Sequence, residues 1–165
     1  GMPGQSTNVD AAVDDGTAAG LDGTALARGV CRALAAHGLA PLTEFTFRDG
    51  HRADIVALAG DGGISVIEVK SSRRDYVADG KWPNYTAFCD RFYFAVPADF
   101  PQELLPAACG LWVADAYHAE LVREAPVHKL SAARRRAVTL RFAQVASQRL
   151  LRASDPNGVP ARMLG

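Results

Sequence analysis

Arg52-Ala-Asp54-Ile-Val-Ala-Leu-Ala-Gly-Asp-Gly-Gly-Ile-Ser-Val-Ile-Glu68-Val-Lys70 is the stretch whose reading decides the fold. Two apolar runs flank a Gly-rich turn, and three charged residues, Asp54, Glu68 and Lys70, stand inside the runs where apolar residues are expected. Strand side chains alternate with period two. Glu68 and Lys70 therefore leave one face of the second strand, while Ile67 and Val69 point the other way, into a core. On the first strand Ile55 and Ala57 oppose Asp54. If the two strands pair as a hairpin around Gly60-Asp61-Gly62-Gly63, Asp54 comes close to Glu68, and two carboxylates and an ammonium converge. Charge on a buried strand is costly unless it is paired or binds a metal, so the spacing reads as a site. The competing reading is an exposed sheet face held by a Glu68–Lys70 pair.

Outward from this hairpin, the pattern predicts a helix over residues 23 to 37. Leu26, Val30 and Leu34 recur at helical spacing there, and Gly38 is a natural stop. Leu42 to Phe47 alternates as a strand, and Arg48-Asp49-Gly50-His51 is a hairpin turn. Strands follow at 52 to 58 and 64 to 70. Pro83 fits the first turn of a helix reaching about Cys89. Arg91 to Val96 is a strand ended by Pro97, and Leu111 to Ala114 with Ala119 to Val122 form a further pair. Ser131 caps a last helix running to about Arg152, with Val138, Phe142 and Val145 on its inner stripe. The order helix, three strands, helix, strand predicts an α/β fold with a mixed sheet flanked by helices.

The 165 residues suffice for one domain with a core, and a chain 48% apolar and 22% charged fits a globular class. Formal net charge is zero, but its placement is uneven. Residues 1 to 22 carry four aspartates and no Lys or Arg. Residues 125 to 152 carry Lys129, Arg134, Arg135, Arg136, Arg141, Arg149 and Arg152 and no acid. A neutral total thus leaves room for a nucleic-acid partner, because the local patch matters. Cys31, Cys89 and Cys109 are widely spaced with no CxxC, which argues against structural zinc and for a reducing, cytoplasmic setting. No apolar run approaches the roughly 20 residues that span a bilayer. Gly1 before Met2 is expected to be a cloning remnant. Residues 1 to 21 are expected to form a disordered tail, 22 to 153 the domain, and 154 to 165 a loose C-terminal tail.

Hard cations such as Mg²⁺ take one or two protein carboxylates and fill the remaining positions with water and phosphate. Asp54 and Glu68 supply such carboxylates, and the Val69 carbonyl adds a neutral ligand. A lysine beside the bound water orients it, helps remove its proton or stabilises developing negative charge. Asp with Glu-x-Lys on adjacent strands is therefore a minimal set for cutting a phosphodiester.

The element order and Asp54…Glu68-Val-Lys70 resemble the PD-(D/E)XK nuclease superfamily. Several longer blocks resemble the MmcB family of bacterial DNA-repair-associated proteins more closely. They are Arg52-Ala-Asp54, Glu68-Val-Lys70-Ser-Ser, Asp79-Gly-Lys81-Trp82-Pro-Asn-Tyr85 and Cys89-Asp90-Arg-Phe-Tyr-Phe-Ala-Val-Pro. The similarity continues through Gly110-Leu-Trp-Val-Ala-Asp115-Ala and the Arg-rich last helix, over roughly residues 22 to 152. The Lys81-Trp82-Pro83 block is more specific than the D…ExK pattern alone. The resemblance implies a restriction-endonuclease-like three-layer fold: an αβββαβ core followed by a C-terminal hairpin and helix. It also implies Mg²⁺- or Mn²⁺-dependent DNA cleavage by a bacterial, nucleoid-associated protein acting in DNA repair or damage-induced mutagenesis, with other repair proteins as further partners. A non-catalytic DNA- or partner-binding module of the same fold is the alternative.

Asp54, Glu68 and Lys70 are accordingly the candidate catalytic residues, with Asp54, Glu68 and Val69 as metal ligands. Many relatives in the superfamily place an extra acid on the first helix. Residues 23 to 37 contain none, and Glu44 is the nearest substitute. Lys81 and Tyr85, four apart, are auxiliary candidates if they share a helical face over the site. Arg134, Arg135, Arg136 and Arg141 are candidate phosphate contacts. Trp82 reads as a core anchor, and Asp75 as a helix or turn cap. Asp79, Asp90 and Asp115 rank lower, and His51, His118 and His128 are isolated.

Overall fold

A computed structural model describes residues 21–79, 82–158 and 160. Six strands form one sheet in chain order: β1 (Ala40–Thr46), β2 (Arg52–Leu58), β3 (Ile64–Val69), β4 (Arg91–Val96), β5 (Gly110–Ala114) and β6 (Ala119–Arg123). The first three make an antiparallel meander. β4 and β5 run parallel to β3, and β6 returns antiparallel to β5. The parallel β3–β4 step requires a crossover. A short helix α2 (Arg73–Ala78) and a 3-10 segment (Trp82–Phe88) provide it. The predicted three-layer α/β architecture is the observed one.

Sequence chemistry sets the layers. In α1 (Gly23–Ala36) the Asp22 carboxylate accepts the Ala25 N–H at 2.8 Å, and Leu26, Val30, Ala33 and Leu34 form the buried stripe. These residues pack on Ile55, Ala57, Ile67 and Val69. The helix lies close because Gly29 has no side chain: a Cβ there would sit 1.9 Å from the Asp115 carbonyl oxygen. On the opposite face, α3 (Ala132–Ser154), capped by Ser131, lays Val138, Phe142 and Val145 on the core that holds Phe45, Val56, Val66 and Phe94. The 3-10 segment adds Tyr85 and Phe88 to this core. Trp82 packs 5.7 Å from Phe92 and 6.0 Å from Phe94, as a core anchor does. None of the described helices is long and apolar enough to cross a membrane.

Two local expectations need correction. The segment after Trp82 is a 3-10 helix, which eclipses residues three apart rather than four. Tyr85 therefore does not sit on an α-helical face, and Lys81 lies outside the described residues. The last helix runs to Ser154, two residues past the expected end at about Arg152. The expected tail over 1 to 21 lies almost wholly outside the described residues, with only Leu21 described.

Candidate active site at the end of β3

The β2–β3 ladder pairs Ile55 with Ile67, and one residue further Asp54 faces Glu68. Here side chains take over from the backbone ladder. The Asp54 N–H donates to Glu68 Oε1 at 3.1 Å, and the Val69 N–H donates to Asp54 Oδ2 at 2.8 Å. The two strands are locked together by the two carboxylates, each of which keeps one oxygen outside these bonds. Both groups, with Val69 and Lys70, line one open cleft of about 1220 Å³. Glu68 and Lys70 are buried and Asp54 is half-buried. That burial rules out the exposed Glu–Lys face.

Electrostatics separates the roles of these groups. Burial first, and then the neighbouring charge of Asp54, push the Glu68 carboxyl well above the usual glutamate range. Lys70 goes the other way from a simple buried amine. Burial alone would lower it, but the Asp79 carboxylate, with Asp75 and Glu68 nearby, raises it above its ordinary value. Its Nζ lies 2.5 Å from Asp79 Oδ2, so the ammonium pairs with Asp79 rather than with Glu68. Asp79 ranked low in the sequence because its spacing of nine residues from Lys70 matches no helical or strand period. Asp75 behaves as a cap: Ser72 Oγ accepts the Asp75 N–H, and Asp75 Oδ2 accepts the Ser71 N–H, each at 3.1 Å.

The auxiliary residues divide. Glu44 lines the cleft and lies across from Asp54, between the pairs Thr43–Ile55 and Phe45–Ala53. Its φ of 48° is in the left-handed region that non-glycine residues avoid. The Arg149 guanidinium fixes this turn of backbone, donating to the Thr43 carbonyl at 2.6 Å and to the Glu44 carbonyl at 2.9 Å. Tyr85 also lines the cleft, but its hydroxyl donates to the Arg52 carbonyl at 2.7 Å, and its ring stacks on Phe92. Burial and the charges of Glu68, Asp79 and Asp54 hold its phenol above the ordinary value. It is a neutral strut. On α1, Thr24, Ala27, Arg28 and Cys31 reach the cleft and no acid does, although the capping Asp22 stands at its rim. Burial raises the Cys31 thiol to about 11 and keeps it uncharged.

Several arginines of α3, expected as phosphate contacts, also bond within the protein. Arg135 grips Asp90 with both terminal nitrogens, at 2.6 and 2.7 Å, and donates to the Gly62 carbonyl at 2.8 Å. Arg134 lies over the Phe88 ring, 4.7 Å from its centroid. Arg141 donates to the Thr46 carbonyl and lies over Phe45. Arg141 and Arg149 thereby cover carbonyls of the edge strand β1, which would otherwise be open to pairing with another chain. Of the four arginines expected to contact phosphate, Arg136 alone makes no such contact among the described residues.

Among the described residues, no three His, Cys, Asp or Glu side chains are grouped to hold a metal. A site built wholly from protein ligands is therefore a poor fit. Two adjacent carboxylates, one of them raised by burial and by the charge of the other, do fit a hard divalent ion that keeps most of its shell as water or phosphate.

Fold and cleft together define the class: a three-layer α/β protein with a carboxylate pair at the end of its central hairpin, consistent with the PD-(D/E)XK plan. Among solved structures, the SPO1766 protein of unknown function from Silicibacter pomeroyi is similar, with 50% sequence identity and a TM-score of 0.82. The match covers 84% of this chain and 95% of that one. No curated protein matches. The family model described as DNA repair protein MmcB-like matches residues 10–157, and the chain belongs to this MmcB-like DNA repair family.

Proposed function

We propose that this member of a DNA repair family is a metal-dependent deoxyribonuclease whose working groups are Asp54, Glu68 and Lys70, acting in repair or damage-induced mutagenesis. The observation that carries the reading is the reciprocal Asp54–Glu68 contact in the lining of an open cleft, with Lys70 just past the end of β3. Asp54, Glu68 and the Val69 carbonyl would hold Mg²⁺ or Mn²⁺. Such an ion lowers the pKa of a bound water and offsets phosphate charge. Lys70 works as a cation, because its carboxylate neighbours keep it protonated. With one N–H directed at Asp79, its ammonium has two further donors for a water or a phosphate oxygen. It therefore orients the nucleophile and stabilises charge on the phosphorane, and it does not remove the proton.

The Lys70–Asp79 pair also favours a second reading, a DNA- or partner-holding module in which the ammonium is retired to a structural bond. Incubation of the purified protein with labelled single-stranded, duplex, flapped and nicked DNA, with Mg²⁺ or Mn²⁺, separates the two. Cleavage lost in Lys70→Ala and in Glu68→Gln supports the nuclease. Thermal stabilisation by metal without cleavage supports the module. No metal stabilisation and no cleavage at all would remove the nuclease reading.

A further inference from the structure

The cleft is an unusual place to put DNA. Among the described residues, Asp22, Glu44, Asp54, Glu68, Asp75 and Asp79 line it against only Arg28, Arg52 and Lys70. Lys70 is already paired. Arg28 and Arg52 are exposed, and neither is in a salt bridge among the described residues. Each is nevertheless held by a fixed backbone. Arg28 shares the cleft-facing side of α1 with Thr24, Ala27 and Cys31, at the i, i+3, i+4, i+7 spacing of one helical face, while the opposite stripe is buried on the sheet. Arg52 opens β2, paired to Thr46, with its carbonyl held by the Tyr85 hydroxyl. Two guanidiniums with unused donor forks, rooted in fixed backbone and lining the same cleft as a carboxylate pair, suit phosphate oxygens.

The size of the cleft points to a polymer. At about 1220 Å³ it exceeds the roughly 300–1,000 Å³ of small-molecule pockets, and its lining is more polar than apolar. The arginine-rich helix α3, the obvious alternative, spends Arg135, Arg141 and Arg149 on the protein itself.

We propose that Arg28 and Arg52, not the arginines of α3, are the chain's grip on the nucleic-acid backbone, holding consecutive phosphates across the Asp54–Glu68 pair. This deepens the nuclease reading and rests on it. Because carboxylates outnumber cations in the cleft, the grip requires a divalent ion to offset their field on an incoming phosphate.

The test is fluorescence anisotropy of a labelled duplex and a labelled single strand across a salt series, in Ca²⁺ and in EDTA. It compares wild type, Arg28→Gln/Arg52→Gln and Arg134→Gln/Arg136→Gln. In Ca²⁺ the cleft variant is expected to bind roughly tenfold to a hundredfold more weakly near 0.1 M salt and to lose about two units of duplex salt slope. The α3 variant is expected to stay within about threefold of wild type, and EDTA to weaken wild type strongly. Both replaced cleft side chains are exposed, so thermal melting should confirm an unchanged fold. If wild type binds but the cleft variant matches it, or the α3 variant carries the loss, the assignment of the grip is overturned and the nuclease reading stands. Equal wild-type binding in Ca²⁺ and EDTA would overturn the requirement for the ion. Failure of wild type to bind either DNA under any of these conditions would overturn both.

Discussion

Two buried carboxylates, Asp90 and Glu68, sit in the same fold and are treated in opposite ways. Asp90 accepts the Ile64 and Leu130 N–H groups at 2.8 Å and both arms of Arg135. Those bonds, led by Arg135, hold its carboxyl far below the usual aspartate value. Glu68 receives one backbone N–H and faces another carboxylate, and its carboxyl is pushed up. Each burial removes a charge from water. In the first case every lone pair is answered, and the group ties α3 and the segment before it to the β2–β3 hairpin. In the second no cation among the described residues is bonded to the carboxyl, and it holds its proton instead. On the proposed reading, an acid kept short of partners on a strand that could hold an apolar side chain is where the divalent ion binds. Measurements can break this division or sharpen it.

The largest effect should come from the satisfied member. Asp90→Ala strands the Arg135 guanidinium and frees the Ile64 and Leu130 amides. A loss of about 3 kcal/mol is expected in urea unfolding, toward the low end for buried pairs because Arg135 keeps some contact with solvent. Metal-induced stabilisation should persist in whatever fraction stays folded. A loss below about 1 kcal/mol would mean that the Asp90 cluster is not the fastening it looks to be.

The Lys70–Asp79 pair lies between the extremes. Asp79→Asn removes the direct partner of a nearly buried ammonium, while Asp75 and Glu68 remain close enough to exert a field on it. A cost of about 2 kcal/mol is expected, recovered in Asp79→Asn/Lys70→Met, where no charge is stranded. If the double variant is as unstable as the single one, the defect lies in the α2 C-terminus and not in the ion pair.

Glu68→Gln should move stability in the other direction. Because folding raises the Glu68 pKa, the folded state holds a proton that the unfolded chain has released. Stability therefore falls as pH rises out of the ordinary glutamate range toward the raised value. From about pH 5 to about pH 9, metal-free wild type should lose stability that Glu68→Gln keeps, so the variant should melt higher in alkali. Added Mg²⁺ should flatten the wild-type curve and leave the variant unmoved. Identical pH profiles for the two proteins would place Glu68 among the satisfied carboxylates and remove the contrast with Asp90.

The sequence carried the hairpin because period-two alternation is local: Ile55, Ala57, Ile67 and Val69 all went to the predicted core, and Asp54 met Glu68 through a turn only a few residues long. The partner of Lys70 was not legible. Asp79 arrives through the C-terminus of a one-and-a-half-turn helix whose capping by Ser72 and Asp75 leaves only a faint pattern. The internal partners of the α3 arginines were illegible for a related reason. A run of basic residues without acids reads as a free surface when the carbonyls and the carboxylate that absorb it lie between 45 and 106 residues away in the chain. One consequence is practical: replacing Arg134, Arg135 and Arg136 together would break the Asp90 clamp, and weakened DNA binding in that variant would report unfolding.

The smallest expected effect tests the boundary between the two kinds of group. Tyr85 lines the cleft beside the carboxylates, and its place four residues after Lys81 made it an auxiliary candidate, yet its hydroxyl donates to the Arg52 carbonyl and its ring belongs to the core. If it is a strut, Tyr85→Phe removes one neutral hydrogen bond and keeps the stacking on Phe92. The cost should be no more than about 1 kcal/mol in urea unfolding. Metal-induced stabilisation and any cleavage rate should stay within about twofold of wild type. The raised phenol supports the same outcome, since a group held neutral by burial and surrounding carboxylates has no proton to give up near neutral pH. A tenfold fall in cleavage, with stability and metal response intact, would instead make the hydroxyl part of the chemistry. The hydrogen bond to Arg52 would then be a resting position that the phenol leaves when substrate enters, and the division between satisfied and unsatisfied groups would have to be redrawn through this side chain.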